Sequence, residues 1–300
     1  MRFKIFLVFL ILSMNNVMVL RSQDVIMINP LFEYPVAPEE LVTMSDKCDY
    51  LVEHFWDPFD FKLKNAVDQN ALNHAFNVYI TSVAYATPQK SNQELDKLID
   101  KISKNPILLT QFVKAAEENL YGPRADYWND NLYMKFLETV NKNKKISEQR
   151  RNYYKKQYQI LQASQIGKKM PGFTFNDNED IQRNYFPMST PTLIIFGDPS
   201  DPDWRSARLK METNFDLSQA VDKGKANIIY IVNKKNKDWK DDVANYPVKW
   251  IVGENENVNS TIDIRIVPSI YVIGTDGNIK EKNISLSLAI ATLLEEVKGL

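Results

Sequence analysis

The hydrophobic period of this chain changes once, and that change limits what it can fold into. From about Glu39 to Ser164 apolar residues recur three and four apart; from Thr192 onward they gather into short continuous runs. In the first region Ala71, Leu72, Ala75, Phe76, Tyr79, Ile80 and Val83 make one helical stripe. Asn105 and Pro106 supply an N-cap and a first-turn proline for "ILLTQFVKAAEENLY", which Gly122 closes. Further helices are predicted over Glu39–Phe55, Asn92–Ser103, Asn129–Val140 and Ser147–Ala163. This half reads as an all-helical domain.

The segment "QIGKKMPGFTF" interrupts that pattern with glycine and proline. Beyond it the strand-length runs "TLIIF", "NIIYIV", "VKWIV" and "SIYVI" alternate with the amphipathic segments "WRSARLKMETNFDLSQAV" and "SLSLAIATLLEEV". Such alternation predicts an α/β sheet with helices on its faces. Asp276 and Gly277 in "GTDGNIK" predict a hairpin into a last short strand.

Ahead of both regions, Arg2 and Lys4 precede the apolar run Ile5–Met14, which Val17–Leu20 extend and "RSQD" follows. That is the pattern of a secretory signal peptide, residues 1–22, with cleavage after Ser22. An uncleaved anchor is the alternative reading, and it would be the protein's one attachment to a membrane. Residues 23–37 form a proline-punctuated lead.

The order of elements from Gly167 to Leu300 resembles a thioredoxin-like domain of the envelope thiol:disulfide exchange branch. The resemblance rests on "GKKMPGFTFND", "TLIIF", "DPSDPDWRSAR", "NIIYIV" and "IDIRIVPSIYVIGTDGNI" together. The preceding half, in "YLVEHFWDPFDF" and "AEENLYGPRADYWNDNLYMKFLETV", resembles a helical domain of unknown function found ahead of such domains in bacterial envelope proteins. The expected fold class is therefore α + α/β. A helical domain over 38–165 leads into a thioredoxin-like domain over 166–300, a central mixed sheet flanked by helices.

The same resemblance implies a C-x-x-C after the first central strand, whose first thiolate a helix N-terminus activates. Here Asp201 and Trp204 stand at those two positions, and neither exchanges disulfides. Asp201 before Pro202 reads instead as an N-cap, with Asp203 adding a favourable charge to the first turn. The resemblance also implies a cis bond at Val267–Pro268. Between the two loops it implies a groove for an extended polypeptide, formed by Trp204, Arg205, Val267, Pro268 and Ser269. Within that groove Trp204 either faces a ligand or turns inward to fill space.

Other chemistry finds little support. The chain has one cysteine, Cys48, so no internal disulfide forms. It is expected on the exposed or half-exposed side of a helix whose core stripe is Leu51, Val52 and Phe55. Asp198, Asp201 and Asp203 lack the further oxygens, turn glycine and bidentate glutamate of a calcium loop. His54 and His74 fall in different helical segments without a metal-binding spacing. The aromatic cluster Phe55, Trp56, Phe59 and Phe61 reads as packing. The basic run "NKNKKISEQRRNYYKKQYQ" reads as a solvated helix face with its tyrosines turned inward. With 37 basic and 38 acidic residues, the overall charge gives no ground for nucleic-acid binding. The reading is an exported, non-catalytic binding or scaffold module of the periplasm or cell envelope. It takes an extended polypeptide or an envelope protein as partner, with no catalytic residue, metal or cofactor. The alternative is thiol-disulfide exchange through a partner thiol or Cys48, or an enzyme of another type.

Overall fold

The computed structural model describes residues 18–21, 24–27, 29–234 and 238–299. The chain divides into two compact units, residues 1–156 and 157–300. The expected export segment lies outside the described residues, apart from β1 (Met18–Arg21), which pairs antiparallel with β2 (Asp24–Met27). Among the described residues no helix is long and apolar enough to cross a membrane.

The first unit is helical. It contains α1 (Met44–His54), α2 (Gln69–Tyr85), α3 (Pro88–Ser103), α4 (Pro106–Ala116), α5 (Asp130–Lys142) and the start of α6 (Glu148–Ala163). The division after Lys156 falls inside α6. Polar caps set several starts: Asp68 accepts from the Ala71 N–H at 2.7 Å, and Asn129 from the Leu132 N–H at 3.0 Å. Asn105 accepts from the N–H groups of Ile107 and Leu108, and Pro106 follows it at N1. The predicted stripe of α2 is buried from Ala71 to Val83. The expected helix from Pro106 to Gly122 widens into a π-helical turn over Glu117–Tyr121.

Two features of this unit bear on function. Phe55, Trp56 and Phe59 are core residues, with Trp56 edge-on to Phe112 at 5.1 Å and Phe76 edge-on to Phe136 at 5.6 Å. Cys48 corrects the expectation of exposure, since it is 2% exposed. Cys48, Leu51, Val52 and Phe55 are spaced i, i+3, i+4, i+7, so the stripe that buries the last three also takes in the thiol.

The second unit is built on a seven-stranded sheet of order β4-β3-β7-β6-β5-β8-β9. Its strands are β3 (Phe173–Asp177), β4 (Gln182–Tyr185), β5 (Thr192–Gly197), β6 (Asn227–Val232), β7 (Ile251–Glu254), β8 (Ser269–Ile273) and β9 (Ile279–Lys282). β5, β6 and β7 run parallel, β8 is antiparallel to β5, and β3 is antiparallel to β7. The run "VKWIV" yields its strand only from Ile251, because a turn from Pro247 O to Trp250 N precedes it.

Alternation along the strands divides the interior in two. Leu193 and Ile195 face α7 (Pro202–Glu212), α8 (Phe215–Asp222), α9 (Trp239–Val243) and α10 (Leu286–Lys298). Ile194 and Phe196 face the opposite cluster, which includes Phe173, Phe175, Val258, Ile262 and Tyr271. The predicted single amphipathic segment after β5 is two helices, because Asn214 accepts from the Leu217 N–H at 2.9 Å and starts α8. The Asp276–Gly277 turn joins β8 to β9, and Gly277 takes φ 74°, a conformation that side chains disfavour.

Candidate functional site

β5 ends at Gly197, and the register Phe196↔Ser269 places the start of β8 beside that end. The loop 198–201 and the Pro268 loop therefore leave the same edge of the sheet. Gly197 is required where it stands, since a Cβ there would approach the Tyr230 hydroxyl to 2.7 Å.

The loop after Gly197 closes upon itself. Asp198 accepts from the Ser200 N–H at 2.9 Å and hydroxyl at 2.6 Å, and the Lys234 ammonium lies 3.4 Å from its other oxygen. Burial opposes the Asp198 charge, but these donors hold its carboxyl below the usual range. Asp201 caps α7, accepting from Asp203 N–H at 2.7 Å and Trp204 N–H at 3.1 Å, with Pro202 at N1. Both carboxylates thus have local partners. Among the described residues no group of three or more metal-type side chains converges.

Trp204 corrects the expected groove. It is fully buried, stacked on Tyr230 at 4.7 Å and 12°, and its indole N–H donates to the Tyr246 hydroxyl at 2.7 Å. The interior offers this side chain both an apolar face and an acceptor for its N–H, which a solvent-facing pose would not. Tyr246 in turn lies under the Arg208 guanidinium at 4.8 Å. Ser269 is also removed from the groove: it is fully buried and donates to Asn283 Oδ1 at 2.6 Å. Of the predicted groove residues, Arg205 and Val267 remain exposed and Pro268 is half-buried. Arg205 reaches the Pro199 carbonyl at 3.3 Å and Asp242 at 3.4 Å.

The Val267–Pro268 bond is cis. Ile266 and Val267 beside it are 36% and 40% exposed, and β8 pairs with β5 only from Ser269 onward. Neither residue makes a backbone hydrogen bond to a described residue. Beneath this lip lies an ionic cluster that the sequence reading missed. Asp263 is buried and accepts from Arg265 at 2.8 and 3.2 Å and from Lys282 at 2.7 Å. Its backbone carbonyl accepts from the Tyr271 hydroxyl at 2.5 Å. Burial opposes the Asp263 charge, yet the Arg265 and Lys282 charges hold the carboxyl below its ordinary value. The spacing Asp263-x-Arg265, just ahead of Pro268, was its one signal in the sequence.

The remaining candidates have structural surroundings. His54 lies 2.9 Å from Asp57, and His74 2.9 Å from the Tyr34 hydroxyl. Burial, and then Asp49, push the Cys48 thiol up, opposite to the activation a nucleophilic thiolate needs.

Comparison with known proteins agrees with both halves. The profile of a family described as a domain of unknown function, DUF5106, matches residues 13–164. A thioredoxin-like protein from Bacteroides caccae superposes with TM-score 0.69 at 18% identity, over 88% of this chain and 98% of that one. A conserved protein of unknown function from Bacteroides fragilis is 23% identical over 43% of this chain and 99% of its own, at TM-score 0.41. The thioredoxin domain of a thiol-disulfide oxidoreductase from Bacteroides vulgatus is 17% identical over 44% of this chain and 98% of its own, at TM-score 0.39. No curated protein matches the chain. The family match over the helical half leads to one assignment: the chain belongs to the DUF5106 family, and the sheet that follows that domain has a thioredoxin-like fold.

Proposed function

We propose that this protein is an exported, redox-inactive binding or scaffold module of the cell envelope. In this reading the lip Ile266–Val267–Pro268, flanked by Arg205, receives an extended polypeptide. The observation that carries it is the fate of the two former thiol positions, one a helix cap and the other a buried indole. Disulfide exchange needs an attacking thiolate and a resolving thiol, and the chain's single cysteine is buried in the other unit. Two exposed apolar side chains with unpaired backbone groups support strand-like addition of a peptide at the lip. The basic start and apolar run at the N-terminus support export.

Two measurements test the reading. Reduction of insulin by dithiothreitol should run at the uncatalysed rate in the presence of the protein; catalysis that survives Cys48→Ser would overturn the loss of redox function. A photoreactive side chain at position 267, in the native envelope, should capture the same partner repeatedly. Capture should be lost in Ile266→Asp, and its absence throughout would remove the lip as the binding surface.

A further inference from the structure

The helical unit contains an open cleft of about 540 Å³ that plays no part in the thioredoxin-like site. It is framed by the starts of α2 and α6 and by one side of α4 from Pro106 to Lys114, and its lining includes Lys114, Lys145 and Arg150 but no acidic residue. None of the three cations makes an ion pair or side-chain hydrogen bond with a described residue, although exposed lysines elsewhere in this unit do, as in Lys104–Asp100 and Lys142–Glu138.

A second observation points into the same cleft. Tyr154, one turn after Arg150 on α6, lines it and is only 6% exposed, yet its hydroxyl makes no hydrogen bond with a described residue. The hydroxyl is not sealed in the core but is a donor that opens on the cleft. Burial, and then the Glu117 carboxylate, raise the Tyr154 phenol, so it is a neutral donor at ordinary pH. Ile107 and Ile146 add apolar walls.

We infer that this cleft is a binding site for a small organic anion, a carboxylate or phosphate head on an apolar body. Lys114, Lys145 and Arg150 meet the head, Tyr154 donates to it, and the isoleucines pack the body. The inference is independent of the reading of the thioredoxin-like domain.

The test is calorimetric titration of the purified protein with phenyl phosphate, with benzoate and with benzyl alcohol, which shares the ring but not the charge. At least one anion should saturate a single site per chain while benzyl alcohol does not, and the stronger of the two anions identifies the head group. Arg150→Glu and Lys145→Glu should each weaken binding about tenfold or more, as expected for loss of a charge-assisted hydrogen bond. Tyr154→Phe should weaken it about threefold to tenfold, as for a neutral one. Lys156→Glu, exposed on the same helix but outside the lining, should leave it unchanged. Failure of both anions to saturate at about 10 mM would overturn the inference. So would equal weakening by Lys156→Glu, or equal uptake of benzyl alcohol.

Discussion

Two helix starts, those of α7 and α6, carry charge of opposite sign beside them. At the start of α7 every anion-attracting group is satisfied by the chain itself: Asp201 fills the cap, Asp203 adds charge to the first turn, and Asp198 is held by Ser200 and Lys234. At the cleft of the helical unit, Lys145 and Arg150 lie at the start of α6 and Lys114 in the last turn of α4, and none of the three makes an ion pair with a described residue. Favourable helix-start electrostatics stabilise a fold, and unfavourable ones cost stability. Arg150, in the first turn of α6, is unfavourable in this sense, and an anionic ligand is a physical reason for it. The start of α7 is closed by the chain's own groups, while Lys114, Lys145 and Arg150 line the cleft without ion pairs to described residues.

The largest expected effect tests the structural half of that contrast. Trp204→Ala removes a fully buried indole together with its stack on Tyr230 and its bond to Tyr246. It should cost about 3–5 kcal/mol of unfolding free energy in urea denaturation. A cost under about 1 kcal/mol, typical of a surface substitution, would return Trp204 to the groove.

Asp263→Asn should follow at a similar or smaller cost, about 3–5 kcal/mol at most, because it leaves the Arg265 and Lys282 charges without their carboxylate. Its pH signature is distinct. The folded carboxyl lies below its ordinary value, so its contribution is complete above about pH 4 and is lost as pH falls through the lower folded value. The variant's acid limb should therefore be flatter than that of the wild type. Identical acid limbs would mean that Arg265 and Lys282 do not stabilise the ionised Asp263 in the folded protein.

Asp201→Ala should cost about 1 kcal/mol, the value of an N-cap, while Asp201→Asn should retain most of it. A larger loss would show that the carboxylate does more than cap α7.

These sites differ in how far the sequence exposes them. The cap was legible because Asp201 and Pro202 act on neighbouring backbone, and local geometry decides such roles. The hairpin at Asp276–Gly277 was legible for the same reason. The inward turn of Trp204 was not, because its partners Tyr230 and Tyr246 are distant in sequence and meet it only once β6 has paired beside β5. Lys282 reaches Asp263 in the same way, by strand pairing. The burial of Cys48 is readable from its spacing to Leu51, Val52 and Phe55, which extends the same stripe one turn toward the helix start. The basic run reads as a solvated face with its tyrosines turned inward, which holds for Tyr154, buried on α6, but not for Tyr153, which is exposed and donates to Glu117.

The smallest expected effect is the most informative, because its sign separates a structural from a ligand-binding role. Arg150 is the third residue of α6, where the positive end of the helix dipole disfavours a cation, and Lys114 and Lys145 line the same cleft. If these charges contributed to the fold, Arg150→Glu would lower stability. If they are kept for an anionic ligand, the variant should be unchanged or more stable, by about 0.3–1 kcal/mol in thermal or urea unfolding, with the gain shrinking in salt. The same substitution should abolish the stabilisation that phenyl phosphate gives the wild type by binding only its folded state. Gain of intrinsic stability together with loss of ligand stabilisation is the outcome that separates this cleft from the self-satisfied start of α7. A loss of stability on Arg150→Glu would place both regions in the same structural class.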